Sequence, residues 1–281
     1  MNEQSLKEKL RSIANKKEST FQEVWKKLVL ERFLTRLSKS PCSDKFIFKG
    51  GLLLSYYLEI GRETKDIDFL VTQVNANEDQ IKFLLVEVAD VTVDDGFSFS
   101  FNKIDQLDQV HMNYPGYRVK MNTTFGNMKD TLQIDVGVGD KVTPGSLDIP
   151  LIDYEGGPLF DGTIALQVYP TETIFAEKLE TLIYRGAANS RMKDYHDLLF
   201  LCESNILNVS ETKRQVDTTF SHRKTKKLLP IEFVTDDINK LQGHWERHLK
   251  TLTTEVSKKL PSSIVEVITS INTWIETAGI S

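Results

Sequence analysis

Cysteine is nearly absent: Cys42 and Cys202 are the only two in 281 residues. Two thiols are too few for a disulfide framework, and they lack the paired spacing of a metal site. Long apolar runs are missing as well. No stretch is long enough to cross a bilayer, and Met1-Asn2-Glu3-Gln4 opens polar and charged, without an apolar signal core. The chain therefore reads as cytoplasmic, with no membrane partner. There is no Walker phosphate loop, no His-Glu-x-x-His zinc motif and no internal repeat. A strong charge of one sign is lacking too. The formal net charge of −5 argues against a broad nucleic-acid-binding surface and leaves room for a local one, for which Lys213-Arg214 and His222 to Lys227 are the basic candidates.

What is present begins at Phe46-Ile47-Phe48, an apolar run that ends at Lys49-Gly50-Gly51. Leu52, Leu53, Leu54, Tyr57 and Leu58 then supply a helical apolar face up to Gly61, and Asp66-Ile67-Asp68-Phe69 opens a strand. A helix start leaves unpaired backbone N–H groups at the positive end of a dipole, and glycine lets a phosphate approach them. Side chains alternate along a strand, so Ile67, Phe69 and Val71 can face a core while Asp66 and Asp68 share the other face, roughly 7 Å apart. Two carboxylates held that close suit a hard cation, Mg²⁺ or Mn²⁺, and paired ions of that kind serve phosphoryl transfer. Solvated acidic turns are nevertheless common, and the glycine pair just upstream is what lifts this segment above them.

Lys49-Gly50-Gly51, a helix, then Arg62, Thr64 and Asp66-Ile67-Asp68-Phe69 resemble the first motif of the nucleotidyltransferase superfamily, and more closely that of the AbiEii/AbiGii nucleotidyltransferase toxin family. Gly51 stands where the superfamily often has Ser, which leaves more of the phosphate binding to backbone N–H groups. The likeness returns in Val168-Tyr169-Pro170 through Glu177-Lys178-Leu179 to Arg191, Lys193-Asp194-Tyr195-His196-Asp197-Leu198, and together the matches span about residues 46 to 201.

The superfamily resemblance implies a third carboxylate. Asp135 is the best candidate, because Leu132, Ile134, Val136 and Val138 form one apolar face and Asp135 projects from the other. Asp130 and Asp140, toward the strand ends, are weaker rivals. In the second block, Thr173 to Arg185 reads as an amphipathic helix packed through Phe175, Leu179 and Leu182. Lys178 sits beside that stripe, with Arg185 two turns on along nearly the same face. A snorkelling lysine is the ordinary reading of Lys178, and the resemblance favours a phosphate contact instead. Asp194 and Asp197 share a helix face. Either one could orient Lys178 or Arg191, accept a proton from an acceptor hydroxyl, or serve only as an ion-paired surface carboxylate.

Elsewhere, Thr20 and Glu23 suggest a capping box opening a helix to about Ser38 that packs on the sheet. Glu78 to Ala89 reads as a helix and Phe97, Phe99 and Phe101 as a strand. Tyr117 to Phe125 and Thr131 to Val138 flank a hairpin turn at Gly126-Asn127-Met128. Strand signals fade after Thr171, and Asp236 to Leu249 and Pro261 to Ile275 read as late helices, with Pro261 in the first turn.

The expected fold is α+β: a nucleotidyltransferase-like mixed sheet domain over residues 1–168 with an N-terminal helix, then a mainly helical domain over 169–281 that completes the nucleotide site. The resemblance implies transfer of a nucleoside monophosphate from a nucleoside triphosphate to an acceptor hydroxyl, an activity of the EC 2.7.7 type. Asp66, Asp68 and Asp135 would hold Mg²⁺ or Mn²⁺ and join Asp194 as the catalytic set. Gly50, Gly51, Lys178, Arg185 and Asp197 would bind the nucleotide. The acceptor implied is RNA, at the tRNA 3′ end, with the chain acting as the toxin of a toxin–antitoxin phage-defence pair. Two other readings stay open: an adenylyltransferase acting on a protein or small molecule, and a non-catalytic nucleotide-binding interaction module.

Overall fold

A computed structural model describes residues 1–72, 77–107, 116–140 and 142–280. The chain divides into two compact units, residues 1–56 with 63–169, and residues 57–62 with 170–281.

The first unit opens with α1 (Glu3–Lys16) and α2 (Phe21–Lys39). Leu6, Leu10 and Ile13 recur at helical spacing and are buried in α1, a helix whose many charged residues mask its period in the sequence. Thr20 accepts from the Glu23 amide while the Glu23 carboxylate accepts from the Thr20 amide, so the expected capping box starts α2. β1 (Phe46–Lys49) leads directly into α3 (Gly50–Tyr57), and β2 (Asp66–Val71) follows. Next come α4 (Glu78–Ala89), β3 (Phe97–Leu107), β4 (Gly116–Phe125) and β5 (Met128–Val138). The turn between β4 and β5 is Gly126-Asn127, with Gly126 at φ +57°, and the two strands pair antiparallel from Phe125–Met128 onward. β6 (Gly145–Asp148), the short β7 (Asp153–Tyr154) and β8 (Gly157–Pro158) hairpin, and β9 (Ala165–Val168) complete the unit. These four carry too few alternating residues to be read from the sequence.

Among the described residues the main sheet has seven strands in the order β3-β4-β5-β2-β1-β9-β6. It is mixed: β2 pairs parallel with β5 and β1 parallel with β9, while β1 and β2 run antiparallel. One face is apolar. Ile67 and Phe69 of β2, Val119 and Met121 of β4, and Leu132 and Ile134 of β5 are all buried. Helix α2 packs on the sheet as expected, with Trp25 stacked on Phe97 at 5.6 Å and Phe33 edge-on to Phe99 at 5.5 Å between ring centroids. Arg36 of the same helix is buried against Asp95, and both guanidinium-to-carboxylate bonds measure 2.9 Å.

The second unit is helical after the strands end. It comprises α5 (Thr171–Arg185), α6 (Met192–Glu203), α7 (Val209–Arg223), α8 (Thr235–Leu249), α9 (Thr254–Lys259) and α10 (Ile264–Thr277). Its core includes Phe175 against Trp274, 4.9 Å between centroids, and a buried Trp245 whose Nε1–H donates to the Pro261 carbonyl at 2.8 Å. Pro261 lies outside α10, contrary to expectation. Ser263 caps that helix by accepting from the Val265 amide, so a hydroxyl at the cap position fixes the start instead of proline in the first turn. The α+β expectation stands, with a mixed sheet in one unit and helices in the other.

Candidate active site

Four charged side chains lie level with one another across four adjacent strands. Lys49 at the end of β1 is in register with Asp68 of β2, Asp68 with Asp135 of β5, and Asp135 with Arg118 of β4. Asp66 precedes Asp68 by two residues on the same face, opposite buried Ile67 and Phe69. The polar face of the sheet thus carries three carboxylates between two cations. Alternation gives this result: the charged residues point away from Ile67 and Phe69, although Ile47 and Leu70, farther along β1 and β2 on the charged face, are buried too.

Each member has a definite surrounding. Arg118 grips Asp135 with two parallel bonds, Nε to Oδ1 at 2.8 Å and Nη2 to Oδ2 at 2.7 Å. The guanidinium holds its proton more firmly than usual, through the bond to Asp135 first and through the nearby charges of Asp66 and Asp68 as well. Lys49 lies over the Tyr169 ring at 4.6 Å, with its Nζ 3.3 Å from the Tyr169 hydroxyl and 3.7 Å from Asp140. Gly50 starts α3 at φ +79°, and a Cβ built on it would stand 2.0 Å from Asp68 Oδ2. The Asp68 carboxylate therefore lies against the first turn of a helix, where the macrodipole favours negative charge. Asp130 is occupied elsewhere, 2.5 Å from Lys26.

The downstream block forms a second cluster, inside the helical unit. Lys178 of α5 reaches Asp194 at 2.9 Å and Asp197 at 2.8 Å, both on α6. Arg62 closes on Asp197 with bonds of 2.7 and 2.6 Å, and Arg191 donates to Asp194 at 2.6 Å. Burial alone would raise both carboxyl groups. Lys178 with Arg62 at Asp197, and Lys178 with Arg191 at Asp194, outweigh burial and hold both below the usual range. Burial likewise opposes the Lys178 charge, and the two aspartates restore it. Arg185 is exposed at the end of α5, outside this cluster.

A family model described as nucleotidyl transferase AbiEii toxin, type IV TA system, matches residues 32–269. The chain belongs to the AbiEii family. Membership makes it a nucleotidyltransferase-type toxin of a type IV toxin–antitoxin system by descent. No curated protein matches. Two solved structures from Helicobacter pylori are similar at 15% identity and a TM-score of 0.45. One is described as a candidate nucleotidyltransferase, covering 92% of this chain and 95% of its own. The other is JHP933, covering 92% of each.

Within this AbiEii chain, the structure brings Asp66, Asp68 and Asp135 onto one face beside Gly50 and Gly51 in the first unit, and gathers Lys178, Asp194 and Asp197 within the second. Sequence reading passed over Arg118 altogether. A cation directly across a hairpin from a candidate ligand was the available signal, since the turn at Gly126-Asn127 fixes that pairing. Arg62 was quoted only within a motif. The donor chemistry fits a hard divalent ion, being all carboxylate oxygen on one face. The fit is to Asp66 and Asp68 first, because Asp135 turns both oxygens to Arg118. Among the described residues no group of three or more His, Cys, Asp or Glu is drawn together as a finished metal cage. The basic stretch is also divided. Arg223 is buried on Glu180 at 2.8 Å and Glu177 at 3.2 Å, and Lys227 meets Asp217 at 2.7 Å, whereas Lys213, Lys224 and Lys226 are exposed.

Among the described residues no helix is long and apolar enough to cross a membrane.

Proposed function

We propose that this AbiEii chain transfers a nucleoside monophosphate from a nucleoside triphosphate to a hydroxyl of RNA, at the tRNA 3′ end, as a cytoplasmic toxin countered by an antitoxin in phage defence. The observation that carries the reading is the register of Asp66, Asp68 and Asp135 on one polar face beside the Gly50-Gly51 start of α3. Asp66 and Asp68 would hold Mg²⁺, or Mn²⁺, with Asp135 as the third carboxylate. The bound ion would neutralise charge on the triphosphate and favour an ionised acceptor oxygen.

The backbone N–H groups at Gly50 and Gly51 orient the phosphates, and glycine leaves the approach open. The acceptor oxygen attacks the α-phosphorus, its proton passes to Asp135, the new P–O bond forms, and the bond to the bridging oxygen breaks to release pyrophosphate. The residues named in these steps belong to the first unit; Lys178, Arg185 and Asp197 are proposed to add nucleotide contacts from the second. Lys178, Asp194 and Asp197 hold one another within the second.

Incubation with labelled nucleoside triphosphates, Mg²⁺ and total RNA, beside protein and small-molecule acceptors, tests the reading. Label is expected in RNA, and Asp66→Asn or Asp68→Asn, each still folded, is expected to abolish it. Label only in protein or in small molecules would replace the acceptor assignment. Nucleotide binding without transfer to any acceptor would make the chain a binding module, and turnover at the wild-type rate in either folded variant would remove the metal mechanism.

A further inference from the structure

Two bidentate arginine–carboxylate pairs in the first unit share nearly the same geometry and differ in surroundings. Arg36 and Asp95 are 3% and 2% exposed, and Arg36 also donates to the Phe97 carbonyl, so that pair is built into the core. Arg118 and Asp135 are 38% and 23% exposed. A pair open to solvent is held weakly and can exchange, whereas a buried one cannot part without stranding charge. Arg118 holds the one carboxylate of the three that adjoins Asp68 from the neighbouring strand. A hard cation between Asp68 and Asp135 needs one of the oxygens that the guanidinium now takes.

We propose that Arg118 exchanges partners: it pairs with Asp135 in the metal-free protein, and moves to the triphosphate once a divalent cation takes one Asp135 oxygen and leaves the other for the acceptor proton. This exchange rests on the nucleotidyl-transfer reading above. Its steps are geometric and chemical. Arg118 is the cation one strand beyond Asp135, its side chain is open enough to swing, and its planar fork of donors suits phosphate as well as carboxylate. Held on Asp135, it neutralises part of a face where like charges would otherwise repel. Released, it brings positive charge to the side of the site away from Gly50.

The exchange predicts effects of opposite sign from one substitution. Arg118→Gln should bind Mn²⁺ more tightly in the absence of nucleotide, by up to about tenfold, since the competing cation is gone. The same variant should bind inorganic tripolyphosphate about tenfold more weakly at saturating Mg²⁺, having lost a charge-assisted fork. Electron paramagnetic resonance titration of Mn²⁺ and calorimetry of tripolyphosphate measure the two. Arg118→Lys keeps charge without the fork; it should weaken tripolyphosphate while leaving Mn²⁺ nearer wild type, and it serves if the Gln variant melts early. Shifts in the same direction, or no shift in either titration, would overturn the exchange. Wild-type protein that bound neither Mn²⁺ nor tripolyphosphate would overturn the nucleotidyl-transfer reading, and the exchange with it.

Discussion

A methyl group at Gly50 would stand 2.0 Å from Asp68 Oδ2 and 2.5 Å from its carboxyl carbon, on a backbone turned to φ +79°. Gly50→Ala therefore meets two costs at once, an unfavourable backbone and a displaced carboxylate. The backbone strain alone amounts to about 1–2 kcal/mol. Thermal melts should show that loss, and Mn²⁺ titration should show a weaker site even where the variant is folded. A variant that bound Mn²⁺ like the wild type would mean that Asp68 has no part in holding the ion. At this scale strand alternation made the shared face of Asp66 and Asp68 legible, whereas Asp135 was reached through the family resemblance, which asks for a third carboxylate; its pairing level with Asp68 comes from the β2–β5 register. It was silent on Arg118 and on the Arg62–Asp197 contact, because a cation's partner is settled by register and by tertiary approach, which composition does not encode.

Helix α6 carries a second polar system beside its ion pairs. His196 is buried, its Nε2 lies 2.7 Å from the Ile60 carbonyl, and its Nδ1 lies 2.9 Å from His248 Nε2. Donation of the His196 Nε2–H to that carbonyl leaves Nδ1 to accept from His248 Nε2–H, a chain that needs the His196 ring neutral. Burial pushes both rings below the usual histidine value, and for His248, with the His196 charge opposing it too, down to about 4. A histidine lowered on folding adds no pH dependence above its unfolded value near 6.5, and it costs stability as the pH falls from there toward 4. Denaturant unfolding at pH 5 should show this unit less stable than at pH 7.5 by on the order of 2 kcal/mol. His248→Gln, which keeps a donor to His196, should flatten that slope. Below about pH 4 a second loss follows, from Asp194 and Asp197, whose carboxyls are depressed and whose contribution disappears on protonation. An unchanged stability between pH 7.5 and 5 would mean that the histidines do not sit neutral in the folded unit. Among the elements, α2, α4, β3, the β4–β5 hairpin and most of the helical unit were readable from periodicity and caps. Helices α1, α7 and α9 were not: in α1 and α7 charged residues outnumber the buried apolar ones, α9 is a single short turn or two with no buried residue, and the short strands β6 to β9 offer too few positions to show a period.

For the whole chain, a formal charge of −5 sets the background against which any RNA contact must work. The exposed cations Lys213, Lys224 and Lys226 are the part of the basic stretch able to meet a phosphate backbone, since Arg223 serves Glu177 and Glu180 inside the fold. Changing Lys224 and Lys226 to Gln should leave stability within about 0.5 kcal/mol, as for surface substitutions generally. It should also lower the slope of RNA affinity against salt by about two counterions. Arg223→Gln should instead destabilise, by stranding buried carboxylates. An unaltered salt slope in the double variant would place the acceptor elsewhere on the surface.

The level row of charges has one consequence for how the protein comes into being. Its members are drawn from Lys49, Asp68, Arg118 and Asp135, and the central pair forms only when β5 docks alongside β2. A nascent chain that ends before Met128 contains both motif aspartates and the glycine turn, yet has no strand to supply Asp135 or to set Arg118 against it. Nearly half of the polypeptide must leave the ribosome before the face exists. Any product that stops short of β5 therefore lacks the carboxylate row, whatever else of the first unit it has folded.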